Sequence, residues 1–113
     1  MAEQEKITAY SEFWPYYLRE HSLPRTRALH YLGTALAFFS LLAFIAFGEL
    51  WFLLVALIAG YGPAWTAHFL IEKNRPATFS YPFWSLFSDF RMAWDWMSGT
   101  LDEELARAGV KAR

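Results

Sequence analysis

Two stretches without a charged side chain stand back to back in this chain. No Asp, Glu, Lys or Arg occurs at positions 28–48 or at positions 50–71, and Glu49 alone separates the two runs. A membrane-spanning helix needs about 20 predominantly apolar residues. The pattern therefore predicts a hairpin of two transmembrane helices, 25–47 and 50–73, joined by a tight Gly48-Glu49 turn. The competing reading is a buried hairpin in a soluble helical bundle, although apolar runs of this length are uncommon in 113 residues.

Composition agrees with the membrane reading. The chain is 56% hydrophobic and 20% aromatic, where soluble domains hold about 45–50% apolar residues. A net charge of -1 argues against a nucleic-acid partner, which calls for a basic surplus. The absence of Cys removes disulfide scaffolds, zinc–thiolate sites, iron–sulfur clusters and thiol nucleophiles. The polar start, Met1 to Lys6, lacks the apolar core of a secretory signal.

The flanks read as helices that lie along the membrane. Segment 11–21 is an interfacial helix with Ser11 as its N-cap, and Phe13, Trp14, Tyr16, Tyr17 and Leu18 suit the bilayer interface. Ser22-Leu23-Pro24 ends it, since the residue before a proline leaves helical geometry. In helix 50–73 a kink is expected at Gly60–Pro63, because Pro63 has no N–H for the Ala59 carbonyl. Segment 81–98 is an amphipathic helix. Phe83, Leu86, Phe87, Phe90, Trp94 and Met97 recur at helical spacing, with Ser85, Ser88, Asp89, Asp95 and Ser98 largely on the other side. Asp89, Arg91 and Asp95 make it a poor span and a better interfacial or re-entrant cover for a site. Arg91 and Asp95 are spaced for an i, i+4 ion pair. Gly99 stops it, and Thr100 to Glu103 is a capping box for a short tail helix, 100–108. The expected fold class is thus all-α: an integral membrane helical hairpin with flanking interfacial and amphipathic helices, one membrane domain over 1–113.

Charge sets the expected topology. Arg19, Arg25 and Arg27 precede the hairpin and Lys73 and Arg75 follow it, while the turn carries only Glu49. The positive-inside rule puts both termini in the cytoplasm, on the inner membrane of a bacterium or the endoplasmic reticulum of a eukaryote. Gly33, Gly60 and Gly62 form no clear small-xxx-small motif. Two helices bury little alone, however, so a homo-oligomer is a candidate state.

A length calculation brings the three histidines together. From His30 to Gly48 a helix rises roughly 27 Å, and from Glu49 to His68 it returns roughly 28 Å. His30 and His68 therefore reach one depth, near the cytoplasmic face, and His21 lies beside them across the Pro24 turn. Glu72, four residues after His68, shares its helical face. Three imidazoles and a carboxylate form a candidate first-row metal site, and a facial set with open positions favours non-haem Fe(II) and dioxygen chemistry. Ionisable groups at membrane depth are functional candidates by default. Two alternatives stay open at this point: polar histidines at the interface with no metal, and haem held by His30 and His68. Arg25 and Arg27 read first as topology determinants and lipid-phosphate contacts. Arg27, one turn before His30, is also a candidate for a substrate carboxylate, and Lys73 and Arg75 read the same way. Asp89 is a candidate hydrogen-bond partner for a histidine. Tyr61 stands near the expected kink with no role assigned by sequence.

Three fragments resemble a known family. They are Tyr17-Leu-Arg-Glu-His21, Arg27-Ala-Leu-His30-Tyr-Leu-Gly33-Thr34, and Ala67-His68-Phe-Leu-Ile-Glu72-Lys-Asn-Arg-Pro76-Ala77-Thr78. Together they resemble the small membrane family of the yeast 2-hydroxy-fatty-acid dioxygenase, over about residues 10–100. The chain is shorter than the eukaryotic members, and Glu20 stands where the yeast-type fragment has a second His. The resemblance implies an integral membrane, Fe(II)-dependent dioxygenase that shortens a 2-hydroxy fatty acid by one carbon, with dioxygen as co-substrate. It carries His21, His30 and His68 over as iron ligands and Glu72 as a fourth ligand or base. The acyl tail is then expected between the helices, against Phe38, Phe39, Leu42 and the aliphatics of the second span. The competing functional class is a non-catalytic membrane scaffold or lipid-binding protein with interfacial histidines.

Overall fold

The computed structural model describes residues 6–110. Among the described residues there are helices and turns and no strand. The order is α1 Tyr10–Arg19, α2 Pro24–Phe47, α3 Trp51–Thr66, α4 Pro82–Ser98 and α5 Leu101–Arg107. A π-helical turn, Ala67–Glu72, continues α3, and a 3-10 turn, Ala77–Phe79, precedes α4. The chain is therefore all-α, and Pro24–Phe47 and Trp51–Glu72 are both long and apolar enough to cross a membrane. The polar start that lacks a signal core falls, except for Lys6, outside the described residues.

Local chemistry explains the ends of the hairpin. Leu23 is extended before Pro24, which opens α2 where a missing N–H costs nothing. Gly48 closes α2 at φ 69°, a left-handed conformation that glycine adopts freely, and its N–H returns 2.7 Å to the Phe44 carbonyl. The helix runs on through Gly60–Pro63, and the Thr66 hydroxyl donates to the Gly62 carbonyl at 2.7 Å. The departure from α geometry expected at Gly60–Pro63 falls after it, in the π turn that carries His68 and Glu72. Such turns insert one extra residue and re-aim the side chains that follow. The π turn ends on Lys73 at φ 59°, with the Asn74 N–H bonded to the His68 carbonyl at 2.9 Å.

Two expected caps do not form. Helix α1 starts at Tyr10, so its N-cap is Ala9 rather than Ser11, with no side-chain cap. Thr100 does precede α5, but its hydroxyl faces back to the Asp95 carbonyl at 3.4 Å and caps nothing.

The two long helices touch most closely where α2 offers Gly33. A Cβ there would stand 2.9 Å from the Gly60 carbonyl oxygen and 3.0 Å from that of Ala59. The absent side chain lets backbone meet backbone, as in tight helix pairs of membrane proteins.

A small core caps one end of the hairpin. Phe13, Trp14, Tyr17 and Leu18 of α1 are buried against Met92 of α4 and Leu101 and Leu105 of α5. These α1 aromatics, expected at the bilayer interface, are instead the protein's own core. Trp14 Nε1 donates to Glu104 at 2.9 Å, and the Arg91 guanidinium lies 4.0 Å over the Trp14 ring. Arg91 also pairs with Asp95 at 3.9 Å, as the spacing predicts.

Helix α4 is inside out. Ser85, Ser88 and Met92 face inward, while Phe83 is 83% exposed and Leu86, Phe87, Phe90, Trp94 and Met97 also point outward. The exposed sides of α2 and α3 are equally apolar, with Ile45 76% exposed. An apolar exterior this extensive marks a surface built to meet something other than water.

Candidate metal centre

His21 follows α1, His30 sits in the second turn of α2, and His68 sits in the π turn. The small core holds α1 across the end of the hairpin, and this brings His21 to the other two. All three rings are buried. His21 Nε2 lies 3.0 Å from His30 Nε2 and 3.1 Å from His68 Nε2. The three ligand atoms all lie within 4.8 Å of one another, and the group could hold a metal ion.

The other nitrogen of each ring fixes its tautomer. His21 Nδ1–H donates to the Tyr17 carbonyl at 2.6 Å, and His30 Nδ1–H donates to the Thr26 carbonyl at 3.0 Å. His68 Nδ1 meets the side-chain oxygen of Asn74 at 2.6 Å, while the Asn74 amide NH2 donates to the Glu20 carbonyl at 3.1 Å. A carbonyl can only accept, so the Asn74 amide is oriented and His68 Nδ1 must be the donor. Burial, then the neighbouring His30 and His68, holds His21 well below the usual imidazole range. With Nδ1 protonated on each ring, all three neutral Nε2 atoms present lone pairs to one another. Lone pairs at about 3 Å repel unless a cation sits among them, and imidazoles oriented through Nδ1 are the usual metal-binding arrangement.

The spacing also fits. Two nitrogens bound about 2.1 Å from an ion at a right angle stand about 3.0 Å apart, against about 3.4 Å for a tetrahedral angle. The two short edges, 3.0 and 3.1 Å, match the right angle. The haem alternative does not fit, because His21 fills the space beside His30 and His68 and leaves no slot for a porphyrin.

Around the histidines lies a chamber of about 10 Å³, lined in part by Tyr61, Trp65, Thr78, Ser85 and Asp89. That is room for about one water-sized group. The Trp65 indole N–H and the Ser85 hydroxyl are buried without a hydrogen-bond partner among the described residues. Tyr17 stacks on His21 with ring centres 4.0 Å apart, and its hydroxyl donates to Asp89. Burial pushes the Asp89 carboxyl up to about 7. Burial, then the Asp89 charge, raises the Tyr17 phenol well above its ordinary value. Asp89, read from sequence as a partner for a histidine, lines the chamber but bonds Tyr17 rather than a histidine.

The remaining sequence candidates fall elsewhere. Glu72 is not in the metal-capable group: its carboxylate accepts from the Leu23 N–H at 2.7 Å and the Ser22 hydroxyl at 3.2 Å. It thereby holds the start of α2, where a negative charge is favoured by the helix dipole. Arg27 Nη1 donates to the His21 and Ser22 carbonyls at 2.8 and 2.9 Å, so it braces the α1–α2 link. Lys73 is exposed at the left-handed helix end, and the exposed Arg75 lies 5.2 Å over the Phe79 ring. Neither lines the chamber. Phe38, Phe39 and Leu42, expected along an acyl tail, point outward.

Sequence reasoning missed Asn74, Tyr17 and Ser85. The spacing of Tyr17 to His21 and of Thr26 to His30, each i, i+4 and so one helical turn, was a usable signal. Asn74 and Ser85 had none, because the π turn and the inward polar face of α4 place them.

No curated protein and no solved structure matches this chain. A family model does, over residues 7–101: that of "2-hydroxy-palmitic acid dioxygenase Mpo1-like". With nearly all of its helices inside that match and three histidines poised for a metal, the chain belongs to the Mpo1-like family.

Proposed function

We propose that the chain is an integral membrane Fe(II) dioxygenase that shortens 2-hydroxy fatty acids by one carbon, with His21, His30 and His68 as the iron ligands. The observation that carries this is the convergence of three Nε2 lone pairs at 3.0 and 3.1 Å, each fixed by an oriented Nδ1–H. The family name supplies the reaction class and the 2-hydroxy acid. The apolar exterior of α2, α3 and α4 supports residence in the bilayer, where such a substrate dissolves. The basic residues at the open end of the hairpin support cytoplasmic termini.

When bound, ferrous iron supplies the redox chemistry with dioxygen that no side chain of this protein can provide. The chain's own part is to hold, orient and exclude. Tyr17, Thr26 and Asn74 lock the three rings, and Arg27 ties down the backbone that carries His21. The burial of all three rings keeps bulk water from the site. Glu72 contributes by holding α2 in register rather than as a ligand. The reaction balances without a reductant: one 2-hydroxy acid and one dioxygen give the acid shortened by one carbon, one carbon dioxide and one water.

The test is elemental analysis of protein purified in detergent without oxygen, followed by oxygen uptake with 2-hydroxyhexadecanoic acid. About one iron per chain is expected, with loss of iron and activity in His68→Ala. Zinc in place of iron with no oxygen uptake overturns the dioxygenase. No metal even after Fe(II) is offered, with a normally folded His68→Ala, returns the protein to a non-catalytic scaffold or lipid-binding role.

A further inference from the structure

A second cavity, a groove of about 350 Å³, runs between the hairpin and α4. Leu41, Leu53, Leu57 and Leu86 line it, and all four are partly exposed, so the groove is open along its side. Its inner end is polar. Tyr61 and Asp89 belong to the walls of both the groove and the histidine chamber, so the two spaces adjoin at these residues.

The shape selects the occupant. Two turns of a second helix, about 10 Å across and about 11 Å long, would take up roughly 850 Å³, more than a groove of about 350 Å³ holds. A two-chain phospholipid is too large for a groove of about 350 Å³. What fits is one flexible alkyl chain ending in a small oxygenated head. The inner end is equipped for that head. Ser85 is 2% exposed and its hydroxyl lacks a partner, an arrangement costly to leave unmet in a folded protein. Tyr17 is the one hydrogen-bond partner of Asp89 among the described residues, and it occupies Oδ1. Oδ2 accepts no hydrogen bond from the described residues.

We propose that the groove is the alkyl-chain site, entered sideways from the bilayer, and that Asp89 and Ser85 seat the head of a single-chain 2-hydroxy acid beside the histidines. The assignment rests on the dioxygenase reading for the identity of the head, but not for the position of the chain. It also explains the inverted pattern of α4: one helix presents polar groups to the head and apolar groups to the membrane.

The experiment uses 2-hydroxyhexadecanoic acid carrying a mid-chain diazirine, photolysed with the wild-type protein in phosphatidylcholine nanodiscs, with adducts mapped by peptide mass spectrometry. Adducts at Leu41, Leu53, Leu57 or Leu86 are expected. Adducts confined to outward residues such as Phe39, Ile45 and Leu54 overturn the proposal. Leu57→Trp fills the groove from its open side and should cut the labelling about tenfold while leaving iron content unchanged. Asp89→Leu should weaken binding of the 2-hydroxy acid about tenfold, and Asp89→Asn, which can still accept from Tyr17 and donate, should restore most of it. Ser85→Ala guards against misfolding: its hydroxyl has no protein partner to lose, so only seating should suffer, by about threefold. Unchanged binding in both Asp89→Leu and Ser85→Ala overturns the head seat. Groove adducts without oxygen uptake sink the dioxygenase and leave the chain site standing. Oxygen uptake with outward adducts alone does the reverse.

Discussion

Replacing Gly33 with alanine tests whether the helix crossing sets the metal geometry. On helix propensity alone, Gly→Ala stabilises a helix by about 0.8–1 kcal/mol. Here the new Cβ would meet the Gly60 carbonyl oxygen at 2.9 Å and that of Ala59 at 3.0 Å. Ordinary contact begins at 3.4 Å, so the two helices must part by about 0.5 Å. Both obstructing atoms are backbone, and no side-chain rotation relieves them. Overpacking of this kind costs about 1–3 kcal/mol, which exceeds the propensity gain. The disturbance is close to the site, because His30 lies one turn before Gly33 on the same helix. Functional groups must be held within about 0.5 Å, so Fe(II) affinity should fall about tenfold. Gly62→Ala is the matched control, since a Cβ there meets nothing within 4 Å. The assay is thermal unfolding in detergent with a parallel Fe(II) titration. Gly33→Ala should melt lower and bind iron more weakly, and Gly62→Ala should do neither. A Gly33→Ala protein as stable as wild type with unchanged iron affinity would falsify the argument.

Other predictions follow from single contacts. Asn74→Ala leaves the buried His68 N–H and the Glu20 carbonyl unpaired and should cost about 10- to 100-fold in metal affinity, read by competition with a chromogenic chelator; retention of wild-type affinity would mean that the His68 tautomer is set some other way. Glu72→Gln should keep a full complement of iron and lower stability by about 1 kcal/mol, as for a weakened helix start; loss of iron with an unchanged melting temperature would restore Glu72 as a ligand. Asp89 predicts a pH dependence. Its folded value of about 7 lies above the ordinary carboxylate value of 3.8, so the folded protein binds the extra proton. Stability from this group is full below about pH 4 and declines as pH rises to about 7, by on the order of 4 kcal/mol. Asp89→Asn should remove most of that slope, compared by denaturant unfolding between pH 5 and pH 8.

The hairpin was legible because two physical signals agree on it. Charge-free length marks the spans, and rise per residue returns His30 and His68 to one depth without any knowledge of packing. His21 was legible for a related reason: the short link at Pro24 leaves it nowhere distant to go. The support around these rings was not legible to the same degree. Asn74 reaches His68 only because the π turn shifts the register after His68, and nothing in the run of residues marks that extra residue. Glu72 misled for the same cause. Four residues after His68 puts it on the same face of an α-helix, but the turn is π-helical, and its carboxylate goes to the start of α2 instead.

Helix α4 shows how far periodicity can carry an argument and where it stops. The alternation of Phe83, Leu86, Phe87 and Phe90 with Ser85, Ser88 and Asp89 separates two faces, and both exist in the structure. Periodicity cannot say which face points inward, because that depends on the solvent. In water the apolar face would be buried. With hydrocarbon outside, transferring that face inward gains nothing, and the polar face does better against partners within the protein. Tyr10 bonds the Ser88 hydroxyl at 2.8 Å and Tyr17 bonds Asp89, so α4 is tied to α1 by polar contacts on its inner face. Those same contacts place Asp89 and Ser85 at the wall of the histidine chamber. The inversion that leaves the apolar face of α4 outward is therefore also what delivers polar groups to the site.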